Sequence, residues 1–229
     1  MVVRLERVTK SFWYRGREKF VARNVNFEIP RGHAVGLLGR NGSGKSTLMQ
    51  IISGAILPDS GEIKIEGTVS WPVGFQGSFH RDLTGAQNAK FLARIYGVDT
   101  ETFLEFVADF SELGPAFHQP LRMYSSGMRS RLGFGCSMGI HFDTYLIDEV
   151  TAVGDGAFRA KSEAVFSDRL KHSGALFVSH NTAEIERLCS SVVVLENGVA
   201  SHYFDVAKGI ERHEKNLKYH ASDGTVISD

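Results

Sequence analysis

The sequence predicts an α/β protein: a buried sheet, an antiparallel β portion and an inserted α-helical subdomain. Three observations lead there. Short apolar runs at residues 34–38, 144–147, 175–178 and 192–195 alternate with helical patterns, as buried strands do. A glycine-rich turn joins the first of these runs directly to the apolar helix pattern Leu48-Met49-Gln50-Ile51-Ile52. From about residue 84 to 140, apolar residues recur every three to four positions.

Taken in order, strands are expected at residues 2–5, 25–29, 34–38, 62–65, 68–71, 144–147, 175–178 and 192–195. The last closes through Asn197-Gly198, a hairpin turn pair, onto 199–203. Pro58-Asp59-Ser60-Gly61 is a turn before a strand. In the helical stretch, Phe91, Leu92 and Ile95, then Phe103, Phe106, Val107 and Phe110, form stripes expected in the core. Residues 219–229 carry little apolar content, the composition of a disordered tail, which leaves 1–218 as one domain.

Composition bounds function. With 229 residues, 42% hydrophobic and 23% charged, the chain can bury a full core. Lys plus Arg and Asp plus Glu number 26 each, so no net field draws it to nucleic acid or anionic lipid. No run reaches the roughly 18 apolar residues of a membrane span, and the N-terminus lacks the apolar stretch of a signal peptide. A cytoplasmic protein is expected. Cys136 and Cys189 stand far apart and are expected as buried, reduced thiols.

Residues 39–47 read Gly-Arg-Asn-Gly-Ser-Gly-Lys-Ser-Thr, the phosphate-binding pattern G-x-x-x-x-G-K-[ST], placed between a buried strand and a helix as that motif requires. Each residue type has a physical reason. Gly39, Gly42 and Gly44 leave no side chain between the main chain and a phosphate oxygen, and the backbone N–H groups of Arg40, Asn41 and Ser43 can join the cradle. The helix starting near Lys45 adds its unpaired N–H groups and dipole, each effect worth about 0.3–1 kcal/mol at a surface site. Lys45 supplies a full charge for the terminal phosphates. Ser46 offers a hydroxyl to Mg2+, and Thr47 reaches further along the phosphate chain.

Two further strand ends collect reactive groups. The run 144–147 ends in Asp148-Glu149, at the carboxyl end where open α/β sheets bind ligands. Asp148 can hold the magnesium and Glu149 can polarise the attacking water. The run 175–178 passes through Ser179 to His180, which by the same rule points at the terminal phosphate.

Tyr124-Ser125-Ser126-Gly127-Met128-Arg129-Ser130-Arg131, shortly before the Asp148 strand, resembles the signature motif of ABC-type ATPases. The resemblance implies a P-loop NTPase core of ABC type, binding ATP and Mg2+. It also implies that Ser125, Ser126 and Gly127 grip a phosphate across a head-to-tail homodimer. Asp148 through Asp155 resembles the family's stretch from the magnesium-binding Asp to the dimer-interface Asp, which assigns Asp155 that second role; His180 matches the switch histidine. Phe12 falls where the family stacks an aromatic on adenine, with Trp13 and Tyr14 as competitors. Such a contact is worth about 1–3 kcal/mol by analogy with base stacking.

The wording of Ser70-Trp71-Pro72-Val73-Gly74, Leu83-Thr84-Gly85, the signature segment and Asp148 to Asp155 is similar to the ATP-binding subunits of capsular polysaccharide exporters. Exporters of O-antigen and teichoic acid share part of it. That resemblance implies an ATPase motor at the cytoplasmic face of the inner membrane. Its implied partners are integral membrane permease subunits docked near residues 76–97 and, indirectly, periplasmic and outer-membrane polysaccharide export proteins. Two departures stand out. Ungapped spacing puts His80 at the family's lid glutamine, whereas Gln76 lies four residues earlier. Met128 replaces the signature glutamine and Ser126 a glycine, so the signature contacts rest on Ser125 and the backbone at Ser126 and Gly127.

Overall fold

A computed structural model describes residues 3–73, 79–148 and 156–222. The chain opens with two long antiparallel strands, β1 (Val3–Tyr14) and β2 (Arg17–Ile29), followed by β3 (Ala34–Leu38), α1 (Lys45–Ile52), β4 (Ser60–Ile65) and β5 (Val69–Val73). The helical section holds α2 (Gly85–Tyr96), α3 (Thr100–Ser111), two short 3-10 turns and α4 (Ser126–Gly139). Then come β6 (Thr144–Asp148), α5 (Gly156–Leu170), β7 (Gly174–Val178), α6 (Thr182–Leu188), β8 (Ser191–Glu196), β9 (Val199–Tyr203) and α7 (Val206–Ser222).

The strands form two sheets. One is antiparallel with order β2-β1-β4; the other has order β5-β6-β7-β3-β8-β9 and is parallel except for β9. The central strands are apolar throughout because both faces are covered. Val35, Leu37, Leu176, Val178, Val193 and Leu195 pack with α1 and the inward residues of β1 and β2, while Ala34, Leu38, Ala175, Phe177, Val192 and Val194 face the core that contains α2–α6 residues. All three phosphate-related strand ends, those of β3, β6 and β7, thus point the same way.

The structure departs from the sequence expectations at identifiable places. β1 and β2 run much further than 2–5 and 25–29, because Arg15 and Gly16, both at positive φ, make a tight two-residue turn. The fifth strand carries Pro72 inside it, tolerated because β5 is the edge of its sheet and bulges between Val69 and Pro72. The α2 stripe splits: Leu92 is buried, but Phe91 is 54% and Ile95 58% exposed, since Ala89, Leu92 and Ala93 form the inward face. Residues 219–222 of the expected tail belong to α7. The Asn197-Gly198 hairpin is present, with both residues at positive φ.

Candidate functional site

The loop between β3 and α1 is shaped by close approaches. Gly44, at φ 107, is the N-cap of α1, and a Cβ there would stand 2.8 Å from the Val21 carbonyl oxygen of β2. A Cβ at Gly39 would stand 2.5 Å from the Leu195 carbonyl oxygen of β8. Neither position has space for alanine, so the loop is pressed between the hairpin and the central sheet. Lys45 leads α1, and its Nζ donates to the carbonyls of Gly39 (2.7 Å) and Arg40 (3.1 Å), which holds the ammonium across the loop.

A cavity of about 690 Å³ opens at this loop. Asn41, Gly42, Gly44, Lys45, Ser46 and Thr47 line it from the loop and α1, Asp148 from the end of β6, His180 from just beyond β7, and Phe12 from β1. Asp148 is registered beside Val178, which places it next to the strand that leads to His180. The turn carrying His180 is fixed from below: Ser179 Oγ donates to buried Glu184 (2.9 Å) and accepts from the Asn181 N–H (3.0 Å), and the Asn181 side chain caps α6. Phe12 is held by its own strand. Its neighbour Ser11 donates from N–H to Asp59 (2.7 Å), and Lys10 Nζ bonds the other Asp59 oxygen at 2.6 Å. The Lys10 hydrogen bond, more than any other partner, holds the Asp59 carboxyl below the usual carboxylate range.

The cavity has an apolar, aromatic end and a cationic, N–H-rich end, which suits a nucleotide with its base on one and its phosphates on the other. Ser46 and Asp148 bring hard oxygen donors into it, the kind that suit Mg2+. Among the described residues no group of three or more His, Cys, Asp or Glu could hold a metal ion, so Mg2+ would be shared with phosphate oxygens and water.

Other expected residues lie elsewhere. Gly39, Arg40 and Ser43 do not line this cavity; Arg40 and Ser43 face a smaller cleft of about 400 Å³ that shares Lys19, Asn41 and Gly42 with it. Ser125 is the N-cap of α4 and accepts from the Met128 N–H (3.2 Å), and Ser125, Ser126 and Gly127 are all exposed, outside the cavity. His80 is exposed and also outside it, its Nδ1 accepting from the Asp82 N–H (3.3 Å) while Asn88 bonds its backbone on both sides. Glu149, Asp155 and Gln76 fall outside the described residues. Both cysteines are buried free thiols; burial pushes Cys189 up to about 12 and Cys136 further in the same direction.

Tyr14, named above as a competitor of Phe12, also lines the cavity, and two lining residues, Lys19 and Val21, belong to no sequence motif. Only the pairing of β1 with β2 brings them there, and the alternation that puts Lys19 and Val21 on one face becomes readable once the Arg15-Gly16 turn is recognised.

A mostly parallel sheet whose first βα loop carries the phosphate-binding pattern, flanked by an antiparallel sheet and a helical section, defines an ATP-binding cassette. The chain belongs to the ABC transporter family: residues 22–152 match that family's sequence profile. It is 44% identical over 93% of its length to the polysialic acid transport ATP-binding protein KpsT of Escherichia coli, covering 96% of that protein. It is 40% identical to the capsule polysaccharide export ATP-binding protein CtrD of Neisseria meningitidis serogroup B, covering 92% of this chain and 97% of that one. The dimeric ATP-binding cassette MJ0796, solved in a post-hydrolysis state with ADP and Pi, shares the fold with a TM-score of 0.75 at 20% identity, over 89% of this chain and 99% of that one.

Proposed function

We propose that this chain is the ATP-hydrolysing motor of an ABC transporter that exports capsular polysaccharide across the inner membrane. Its nucleotide-binding domain would span residues 1–218, with the helical subdomain at about 84–140. The observation that carries the reading is the one cavity in which the phosphate loop, Asp148, His180 and Phe12 converge, in a chain similar over more than nine-tenths of its length to transport proteins for such polymers.

Each residue has a task. Phe12 stacks on adenine; the N–H groups from Gly39 to Thr47 and the Lys45 charge bind the phosphates. Ser46 and Asp148 would hold Mg2+, which draws charge off the phosphate oxygens when bound. Glu149 orients and polarises the attacking water, and His180 contacts the γ-phosphate. Ser125, Ser126 and Gly127 of a second copy close over the γ-phosphate, with Asp155 at the interface. Loss of that phosphate on hydrolysis removes the bridge, and the homodimer reopens. The lid contact belongs to Gln76 or His80.

A permease subunit docks near residues 76–97, where Phe91 and Ile95 expose apolar surface on α2. No helix among the described residues is long and apolar enough to cross a membrane, so attachment at the cytoplasmic face would be peripheral, through that partner. Glu149→Gln is expected to bind ATP, lose turnover and accumulate as a nucleotide-bound dimer; rapid hydrolysis by it removes Glu149 from its role. Tagged chain purified from detergent-solubilised membranes of its own cells should bring a polytopic permease, with polysaccharide export proteins nearby. Recovery with ribosomes or nucleic acid and no membrane protein would overturn the transport reading while leaving the ATPase.

A further inference from the structure

Lys19 brings a second cation into the nucleotide cavity, outside every motif. It sits on β2 directly opposite Phe12 of β1, on the strand face that also presents Val21. Its Nζ donates to the Gly42 carbonyl at 3.2 Å, so the tip of the hairpin is tied to the phosphate loop by this ammonium. One of the three ammonium N–H groups is used there, and two remain for an acceptor in the cavity. Lysine is an unexpected residue for a mere strut between two backbones, because its flexible stem gives up much rotamer entropy for one neutral acceptor. The cavity is otherwise charged by Lys45 and Asp148 at its far end.

We propose that Lys19 is a nucleotide-binding residue that recognises the α-phosphate. The inference rests on the nucleotide reading of the cavity given above. With the base on Phe12 and the terminal phosphates at Lys45, the part of the nucleotide between them is the ribose and α-phosphate. Lys19 is opposite Phe12 in the ladder and tethered at Gly42, between those two ends. A full positive charge in a partly enclosed cavity prefers the anionic phosphate to the neutral sugar.

Calorimetric titration of the purified full chain with ADP and with adenosine tests this, in wild type, Lys19→Met and Lys19→Arg. Lys19→Met should bind ADP about 5- to 20-fold more weakly, the range of one charge-assisted hydrogen bond, with a shallower dependence on ionic strength. Its affinity for adenosine should be unchanged, and Lys19→Arg should stay within about threefold of wild type for ADP because the charge is kept. Unchanged ADP affinity in Lys19→Met overturns the proposal. So does an equal loss for ADP and adenosine, which would make Lys19 a strut that shapes the loop. Failure of the wild-type chain to take ADP at all is read before any variant and overturns the nucleotide reading and this inference together.

Discussion

Two helix N-termini in this chain offer the same chemistry in opposite surroundings. α1 begins at Gly44 inside a cavity, beneath the hairpin and beside the ends of β6 and β7, with Lys45 folded across its loop. α4 begins at Ser125 on open surface; a Cβ added to Gly127 would meet only Ser125 Oγ, at 3.9 Å. Neither first turn contains an acidic residue, so both ends keep their positive character for an anion. The first is enclosed by its own chain, and the second stands on open surface, with its Met128 N–H taken by the Ser125 cap. On the proposed reading the open end is completed by a second copy of the chain, and a bond that depends on the terminal phosphate would then turn nucleotide state into association state.

Removing the charge at the enclosed end should have the largest effect. Lys45→Ala should lower nucleotide affinity more than about tenfold and steady-state phosphate release by about 10²–10³-fold, the scale of losing a charge aimed at the transferring group. The fold should survive, because the Lys45 ammonium donates to the carbonyls of Gly39 and Arg40 in its own loop and its side chain is no part of the buried core. Phosphate release at the wild-type rate would sink the assignment of this loop as the reacting end.

The open end should respond in a different observable. Ser125→Ala removes an N-cap that accepts from the Met128 N–H, at a cost of about 1 kcal/mol in thermal stability. Nucleotide affinity of the separate chain, read at low protein concentration, should stay within about twofold, while ATP-driven dimerisation and the hydrolysis that depends on it fall about tenfold or more. Equal losses of affinity in Ser125→Ala and Lys45→Ala would mean that both ends serve one cavity in one chain, and the division would fail.

The two ends were also unequally legible in the sequence. The loop motif specifies backbone conformation, charge and hydroxyl within nine adjacent residues, so its place between a strand and a helix follows from local pattern alone. Asp148 and His180 were readable because each follows an apolar run, and strand ends converge in a parallel sheet. Phe12, Tyr14 and Lys19 depend on a long hairpin whose register is set by the Arg15-Gly16 turn and by bulges between Leu5 and Ser11, which no periodicity announces. The exposure of Phe91 and Ile95 likewise followed from which side of α2 met α3 and α4, a tertiary choice that helical spacing leaves open.

Beside the enclosed end, on the helix packed against β8, which neighbours the loop-bearing strand β3, stands a buried group that titrates. His213 on α7 is 8% exposed, its Nδ1 buried without a partner, and α7 packs on β8 with Asn216 donating to Glu196. Burial chiefly, then the nearby charge of Lys45, holds the imidazole below its ordinary value of 6.5; Glu196 and Glu214 oppose the shift, and His180 adds to it. A base kept neutral in the folded chain binds fewer protons than in the unfolded chain, so stability rises with pH across the interval below 6.5 and falls as acid is added. Burial shifts His141 and His202 in the same direction, so the wild-type melting curve alone does not isolate His213. The difference between wild type and His213→Gln, measured as melting temperature from pH 7.5 down to 5.5, isolates it. The wild type should lose more stability than the variant over that interval, because only the wild type carries the depressed imidazole that must take up a proton. Parallel curves would mean that α7 is held on β8 by packing alone, with no contribution from the charge state of His213.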